Sequence, residues 1–427
     1  MVPTVSPPID VRYGSVVHLA ARAVRKDNRV RLLFTTLSAS GHFHPLVPIA
    51  RAATDVGHTV AFACDPSFIP TVEGAGFAAF PAGFDQRGRR VDQIFPGMRM
   101  VPEYTNVYWV VPNIFAGALA TTMVPDLVDL CRSWSPDLIV RAAAEYAGCV
   151  AAEVVGIPHA SVRTGSEPSS YELRQFVAVP LAKLRELNGL PPDPEMAMPF
   201  RYLHLACEPP GFVRPGDAVA PTAHLLRPVD LEAGAGELPA SAADLLDGRP
   251  TVYATLGTIF GRLPSGRATF GAILEALRDE AVNLIVTVGR GNDPAQFGPQ
   301  PGHVHIAEYI PQGALLARCA AVINQGGFGT ITGTLNAGLP MVVIPIGADQ
   351  PYNAACCAAL GVGRVIGPEE RTPGAIRAAV RAVLSEPSYR ANAERIRDEM
   401  AALPGPEYAV ALLERLAAEK QPLLMAS

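Results

Sequence analysis

Lysine is nearly missing from this chain, which has only Lys26, Lys183 and Lys420 among its 427 residues. Arginine carries almost all the positive charge. The balance of 35 basic against 40 acidic side chains gives a formal net charge of −5, and no Lys/Arg run makes the stripe that tracks a phosphate backbone. Nucleic acid is therefore not an expected partner. Paired cysteines are also absent: seven residues, an odd number, lie mostly in apolar or Ala-rich stretches and contain no C-x-x-C, which suits a reducing cytoplasm. Residues 1–28 are Pro-rich and then basic, without the unbroken apolar segment of a secretion signal, and read as an N-terminal extension. No repeat of solenoid period is found.

Apolar material is abundant. With 49% hydrophobic and 18% charged residues and a mean hydropathy of +0.21, the chain can bury large cores, and its length suits two domains. RVRLLFTTL, HTVAFACD, DLIVR and PHASVR read as strands, with LVPIARAATDVG and AEYAGCVAAEVVG as helices between them. A Gly/Pro/Ala-rich stretch follows. A second alternation then runs from TVYATLG through VNLIVTVG, AAVIN and MVVIP to GRVIG. The expectation is an α/β architecture of two doubly wound, Rossmann-like domains facing across a cleft, at 29–228 and 251–403, with a linker at 229–250 and a last helix at 404–427 packing back on the first domain.

Thr105 to Pro125 carries no charge over 21 residues, about the length of a membrane span. Pro112, Asn106, Asn113 and the threonines interrupt it. We read it as a buried pair of helices lining a pocket, and expect no stable membrane insertion.

Two loops carry chemistry. In NQGGFGT (Asn324 to Thr330), glycines stand where a buried strand hands over to a helix starting near Thr330. Backbone N–H groups at such a helix start favour an anion. The spacing is neither G-x-G-x-x-G after a first strand nor a P-loop. In SASGHFHP, a histidine in a glycine-opened loop after the first strand can act as a general base near neutral pH. His42 and His44 could also be two metal ligands, but the other histidines complete no set with them.

In order along the chain, SASGHFHPLVPIARA, VYATLGT, EYIPQGALLARC and NQGGFGTITGTLNAGLPMVVIPIGADQPYNA resemble the motifs of GT-B-fold, family 1 glycosyltransferases, over about Arg31 to Leu416. The chain looks most like the bacterial members that decorate antibiotics and other natural products. The resemblance implies that His42 takes the proton from the acceptor hydroxyl, with His44 at a variable position. Tyr309 and Ile310 would hold the nucleotide base by ring stacking and backbone bonds, with Gln312 nearby. Thr258, Gly326, Gly327, Gly329 and Thr330 would bind the diphosphate, and Asp349 and Gln350 would read the sugar hydroxyls.

Two departures stand out. Gln325 occupies the place where the family usually has His, so diphosphate binding would lean more on backbone N–H groups. Ala142 stands where many members have the Asp that orients the base. Glu145, the nearest downstream carboxylate, is either that orienting group or a charge at a helix N-terminus.

The resulting expectation is an inverting transferase that moves a sugar, a deoxysugar first of all, from a dTDP-sugar or UDP-sugar to a hydroxyl of an apolar natural-product aglycone. No metal or other cofactor is expected, and a homodimer is left open. Tyr104, Tyr108, Trp109 and Phe115 are the candidate acceptor wall. The alternative is a catalytically impaired nucleotide-sugar-binding helper, suggested by Gln325 and Ala142.

Overall fold

The computed structural model describes residues 29–425 apart from 87–88, 90, 96, 98–99, 164, 166–171, 214–217, 230–237 and 247, and of 91–92, 172–173, 241 and 258–259 it describes the backbone alone. The expected N-terminal extension, 1–28, lies outside the described residues.

Two parallel sheets form. The first contains β1 (Arg31–Thr35), β2 (Thr59–Cys64), β3 (Ala78–Pro81), β4 (Leu138–Ala142), β5 (His159–Val162), β6 (Leu203–Cys207) and β7 (Ala223–Leu226), in the order β3-β2-β1-β4-β5-β6-β7. The second contains β8 (Thr251–Thr255), β9 (Asn283–Thr287), β10 (Val304–Ala307), β11 (Ala321–Asn324), β12 (Met341–Val343) and β13 (Gly363–Val365), in the order β10-β9-β8-β11-β12-β13. All described strand pairs are parallel, with Leu33 opposite Ile139 in one sheet and Tyr253 opposite Ile285 in the other.

The apolar strands are explained by burial on both faces. Side chains alternate along β1: Leu32 and Phe34 enter a core with the helix Val47–Asp55, whereas Leu33 joins one with Ile139 and the helix Ala147–Val155. In the second sheet Val252 and Ala254 face one core and Tyr253 the other. The end of the expected linker is part of this domain, because Leu238, Ala242 and Leu246 pack with Tyr253 and Ile285.

The chain then returns to the first domain. The helix Pro406–Glu419 lays Leu412, Leu413 and Leu416 into the core around Leu32 and Phe34. Glu414 meets His58 at 3.0 Å, and the N–H of Leu423 donates to the carbonyl of Tyr202.

The expected pair of helices at 105–125 is instead one continuous helical run over Val107–Trp134, with a π-helical stretch at Val111–Leu119. Pro112 near the start of that stretch lacks an N–H, and the wider turn accommodates it without breaking the helix. Asn113 and Thr121 satisfy their side chains on the carbonyls of Trp109 and Gly117 one turn back. This run is long and apolar enough to cross a membrane, but its inner face (Val111, Ala116, Met123, Leu127) is packed into the first-domain core.

Leu413 is 1% exposed. Leu413→Ala should destabilise the first domain by roughly 2–5 kcal/mol through lost burial and a residual cavity. Calorimetric scanning should show this as a lower first transition.

Candidate active site

Both sheets reverse strand order beside their first strand, between β1 and β4 and between β8 and β11. Loops leaving the carboxyl ends of strands diverge at such points and open a crevice. The loops after β1 and β11 are those that carry the histidine and the glycines.

After β11, the Asn324 side-chain oxygen accepts from the N–H of Gly326 at 2.7 Å, and Gly326 takes φ +91°. A Cβ there would stand 3.1 Å from the Gln350 carbonyl and from Val343, so the turn needs glycine for both space and torsion. Gly327 is extended and the helix runs Phe328–Asn336, two residues earlier than expected. The first capping bond is from Ile331 N–H to the Gly327 carbonyl. The N–H groups of Phe328, Gly329 and Thr330 thus form the open first turn, without protein acceptors among the described residues. Their partial positive charge suits a diphosphate.

Gln325 is buried behind this turn. Its Nε2 lies where a Cβ on Gly257 would fall, and 2.6 Å from the Cβ position of Gly327, so the amide wedges between the loops after β8 and β11. Its Oε1 has no hydrogen-bond partner among the described residues. Thr258 lies in the short helix Gly257–Phe260, its side chain outside the described residues.

Asp349 occupies the position before the helix Gln350–Ala359 but makes no capping bond, and its Oδ2 accepts from Asn353 Nδ2 at 2.7 Å. Burial pushes its carboxyl up to about 6, against the Asn353 bond and the Arg163 charge. Gln350 is buried and its Oε1 accepts from the N–H groups of Ile346 and Gly347, at 2.8 and 3.0 Å. The oxygen therefore shapes the loop.

At the expected base site, the Ile310 side chain is core, packed with Tyr253 and Leu315, so its backbone is what a ligand could meet. Gln312 begins the helix Gln312–Leu316. Tyr309 is 39% exposed and carries the Arg290 guanidinium 4.0 Å from its ring centroid. Sequence reasoning missed Arg290. Its signal was an arginine between Gly289 and Gly291, both at positive φ, at the carboxyl end of β9.

On the opposite side His42 sits on the short helix Ser40–Phe43, half-buried, edge-on to Phe115 with centroids 5.7 Å apart. Burial lowers its pKa to about 4, so the imidazole is neutral at physiological pH. His44, on the following turn, is exposed, its ring 6.1 Å from that of Phe43. Among the described residues no group of three or more His, Cys, Asp or Glu is placed to hold a metal ion.

The aromatic wall divides. Phe115 is in ring contact with His42. Tyr108 pairs with Phe176 at 5.1 Å, and the Trp109 ring lies 3.2 Å from the Cβ position of Gly97. Tyr104 lies on the turn Glu103–Thr105, where Glu103 accepts from Ser265 of the second domain at 2.5 Å. A small cavity missed from sequence opens at the ends of β1, β2 and β3, between Ser38, Phe84, Leu119 and Met123.

Glu145 is fully buried beside Ala142, and its described bonds are those of a helix N-terminal charge. Its carboxylate accepts from the N–H groups of Ala147 and Gly148, at 2.5 and 3.0 Å, and from the Thr35 hydroxyl. None of these bonds reaches His42. Burial raises its pKa, opposed by the Thr35 bond and the Arg141 charge. Glu145 thus ties the end of β1 to the helix Ala147–Val155, and would act on His42 only through that loop.

Residues 51–188 match the N-terminal domain, and residues 272–416 the C-terminal domain, of a family described as erythromycin biosynthesis protein CIII-like. The 10-deoxymethynolide desosaminyltransferase of Streptomyces venezuelae is 32% identical, over 91% of this chain and 98% of its own. Tylactone mycaminosyltransferase of Streptomyces fradiae is 30% identical, over 91% and 93%. Among solved structures, the glycosyltransferase VinC in complex with dTDP superposes with a TM-score of 0.73 at 28% identity, covering 91% of this chain and all of that one.

Glu145→Gln keeps an acceptor for the helix amides and should leave the melting temperature near wild type, whereas Glu145→Ala should cost roughly 1–3 kcal/mol. Thermal denaturation checks this. Lost turnover in a fully stable Glu145→Gln protein would restore a chemical role for the carboxylate.

Proposed function

The chain belongs to the erythromycin biosynthesis protein CIII-like family of GT-B glycosyltransferases, and from that premise we propose that it moves a deoxysugar from a dTDP-linked donor to a hydroxyl of an apolar natural-product aglycone, with inversion and without a metal. The observation that carries this reading is a pairing across the two switch points: a neutral, half-buried imidazole on one side and an open helix N-terminus on the other. The desosaminyl and mycaminosyl relatives favour a deoxysugar, and dTDP in VinC favours thymidine over uridine.

In this mechanism His42 removes the hydroxyl proton as the acceptor oxygen attacks the anomeric carbon. The bond to the diphosphate breaks on the opposite face, which inverts the centre. The leaving charge is taken up by the N–H groups of Phe328, Gly329 and Thr330. Gln325 adds no positive charge, so the backbone carries this task. A pKa near 4 keeps His42 unprotonated but makes it a weak base. The negative donor strengthens it on binding. Asp349 accepts sugar hydroxyl bonds as a carboxylate, and Phe115 presents an apolar face to the aglycone. The impaired-helper reading rests on the departures at Gln325 and Ala142 alone, and the relatives above are transferases by name.

Calorimetry of the purified protein against dTDP and UDP, with and without EDTA, tests the donor side. Micromolar, EDTA-insensitive dTDP binding is expected, and failure to bind either nucleotide would overturn the proposal. His42→Ala should lower transfer by roughly 10²–10⁴-fold while dTDP affinity stays within about twofold, because only proton transfer is lost. Product anomeric configuration by NMR should be opposite to that of the donor.

The pH profile separates the two groups. With Asp349 titrating at about 6 and His42 at about 4, kcat/KM at limiting donor should fall as pH drops through about 6, where Asp349 takes up a proton. Asp349→Asn should lower the plateau and remove that limb.

A further inference from the structure

The first domain does more than carry the base. Three of its residues reach the two second-domain helices on which the donor reading rests. Arg163, just after β5, pairs through Nε with Glu208 Oε2 at 2.7 Å, and its guanidinium lies 5.9 Å from the ring centroid of Tyr352 in the helix Gln350–Ala359. Arg163, Glu208 and Tyr352 are all buried, at 5%, 6% and 2% exposure. Gly165 holds φ +95°, and a Cβ there would stand 2.7 Å from Phe328 Cβ and 2.9 Å from Asp349 Oδ2. Phe212, fully buried, inserts into the second-domain cluster edge-on to Phe328, with centroids 5.7 Å apart.

Burying an ion pair at a seam between domains is costly, and apolar residues would seal the seam as well. The charge itself thus adds little adhesion that an apolar pair would not supply. We propose that Arg163 is a positioning residue for donor-sugar recognition: anchored by Glu208 and packed on Tyr352, it holds the backbone at Gly165 against Asp349 and Phe328, so that the first domain forms one wall of the sugar pocket and fixes the Asp349 carboxylate. The Arg163 charge also favours ionised Asp349. The glycine is required because the wall is backbone, with no space for a side chain between the carboxylate and the start of the anion-binding helix.

This inference rests on Asp349 reading the sugar, and the test separates the two. The readout is the ratio of dissociation constants for dTDP-glucose and dTDP, measured by calorimetry on the full chain. Asp349→Ala sets the benchmark shift. Gly165→Ala and Arg163→Leu should each raise the ratio by about tenfold or more while dTDP affinity stays within about twofold, Arg163→Lys should restore part of it, and Arg163→Leu combined with Asp349→Ala should add nothing to Asp349→Ala. Because a lone Glu208 could unfold the single variant, the pair Arg163→Leu with Glu208→Leu removes both charges, with the same expected ratio. A shift for Asp349→Ala alone would overturn this inference and leave the sugar reading standing. No shift in any variant would overturn both. Equal weakening of dTDP and dTDP-glucose would reduce Arg163 to a structural tie.

Discussion

Helices cover both faces of each parallel sheet, so the groups free to meet a ligand are those on loops leaving the strands' carboxyl ends. That constraint organises the molecule. His42 follows β1, Gly257 follows β8, the Gly326-Gly327 turn follows β11, Asp349 follows β12 and Arg163 follows β5. The residues that shape these loops are mostly polar and buried, and they earn their burial through backbone bonds. Asn324 holds Gly326, Gln350 holds Ile346 and Gly347, and Glu145 holds Ala147 and Gly148. Each satisfies amides that a tight loop would otherwise orphan.

The glycine turn after β11 presents backbone N–H groups at an open helix start. Gln325 illustrates the trade: a neutral amide packs between two glycine loops, where a protonated histidine would add charge but also a desolvation cost. The helix first turn supplies partial positive charge whatever the pH. Titration is left to the opposite side and to Asp349, whose pKa of about 6 comes from burial.

Strands buried on both faces were legible in the sequence, because β1, β2, β4, β5, β8, β9 and β11 are apolar runs closed by turn residues. β3 and β10 were not: they are half-exposed edge strands, and Ala78–Pro81 and Val304–Ala307 carry no such run. β6 and β7 were hidden by His204 and His224, one of which is buried against Ser161. The long helix was read as two because Pro112 ordinarily breaks one, and a π stretch has no local signature. At the site, His42, the glycine turn and Asp349 stand out through motif order. Arg163 with Glu208 does not, since 45 residues separate the partners and neither lies in a recognisable pattern. The role of Glu145 likewise depended on where its carboxylate points, which spacing alone left open.

The return of the last helix to the first domain has a topological consequence. The chain leaves that domain after β7 and re-enters it before Pro406, and the two crossings touch, the Arg227 N–H donating to the Pro404 carbonyl at 2.9 Å. The second domain is thus an insertion within a single host domain, entered and left at one point. Exchanging the second domain between relatives therefore amounts to transplanting one continuous loop whose two ends are already adjacent.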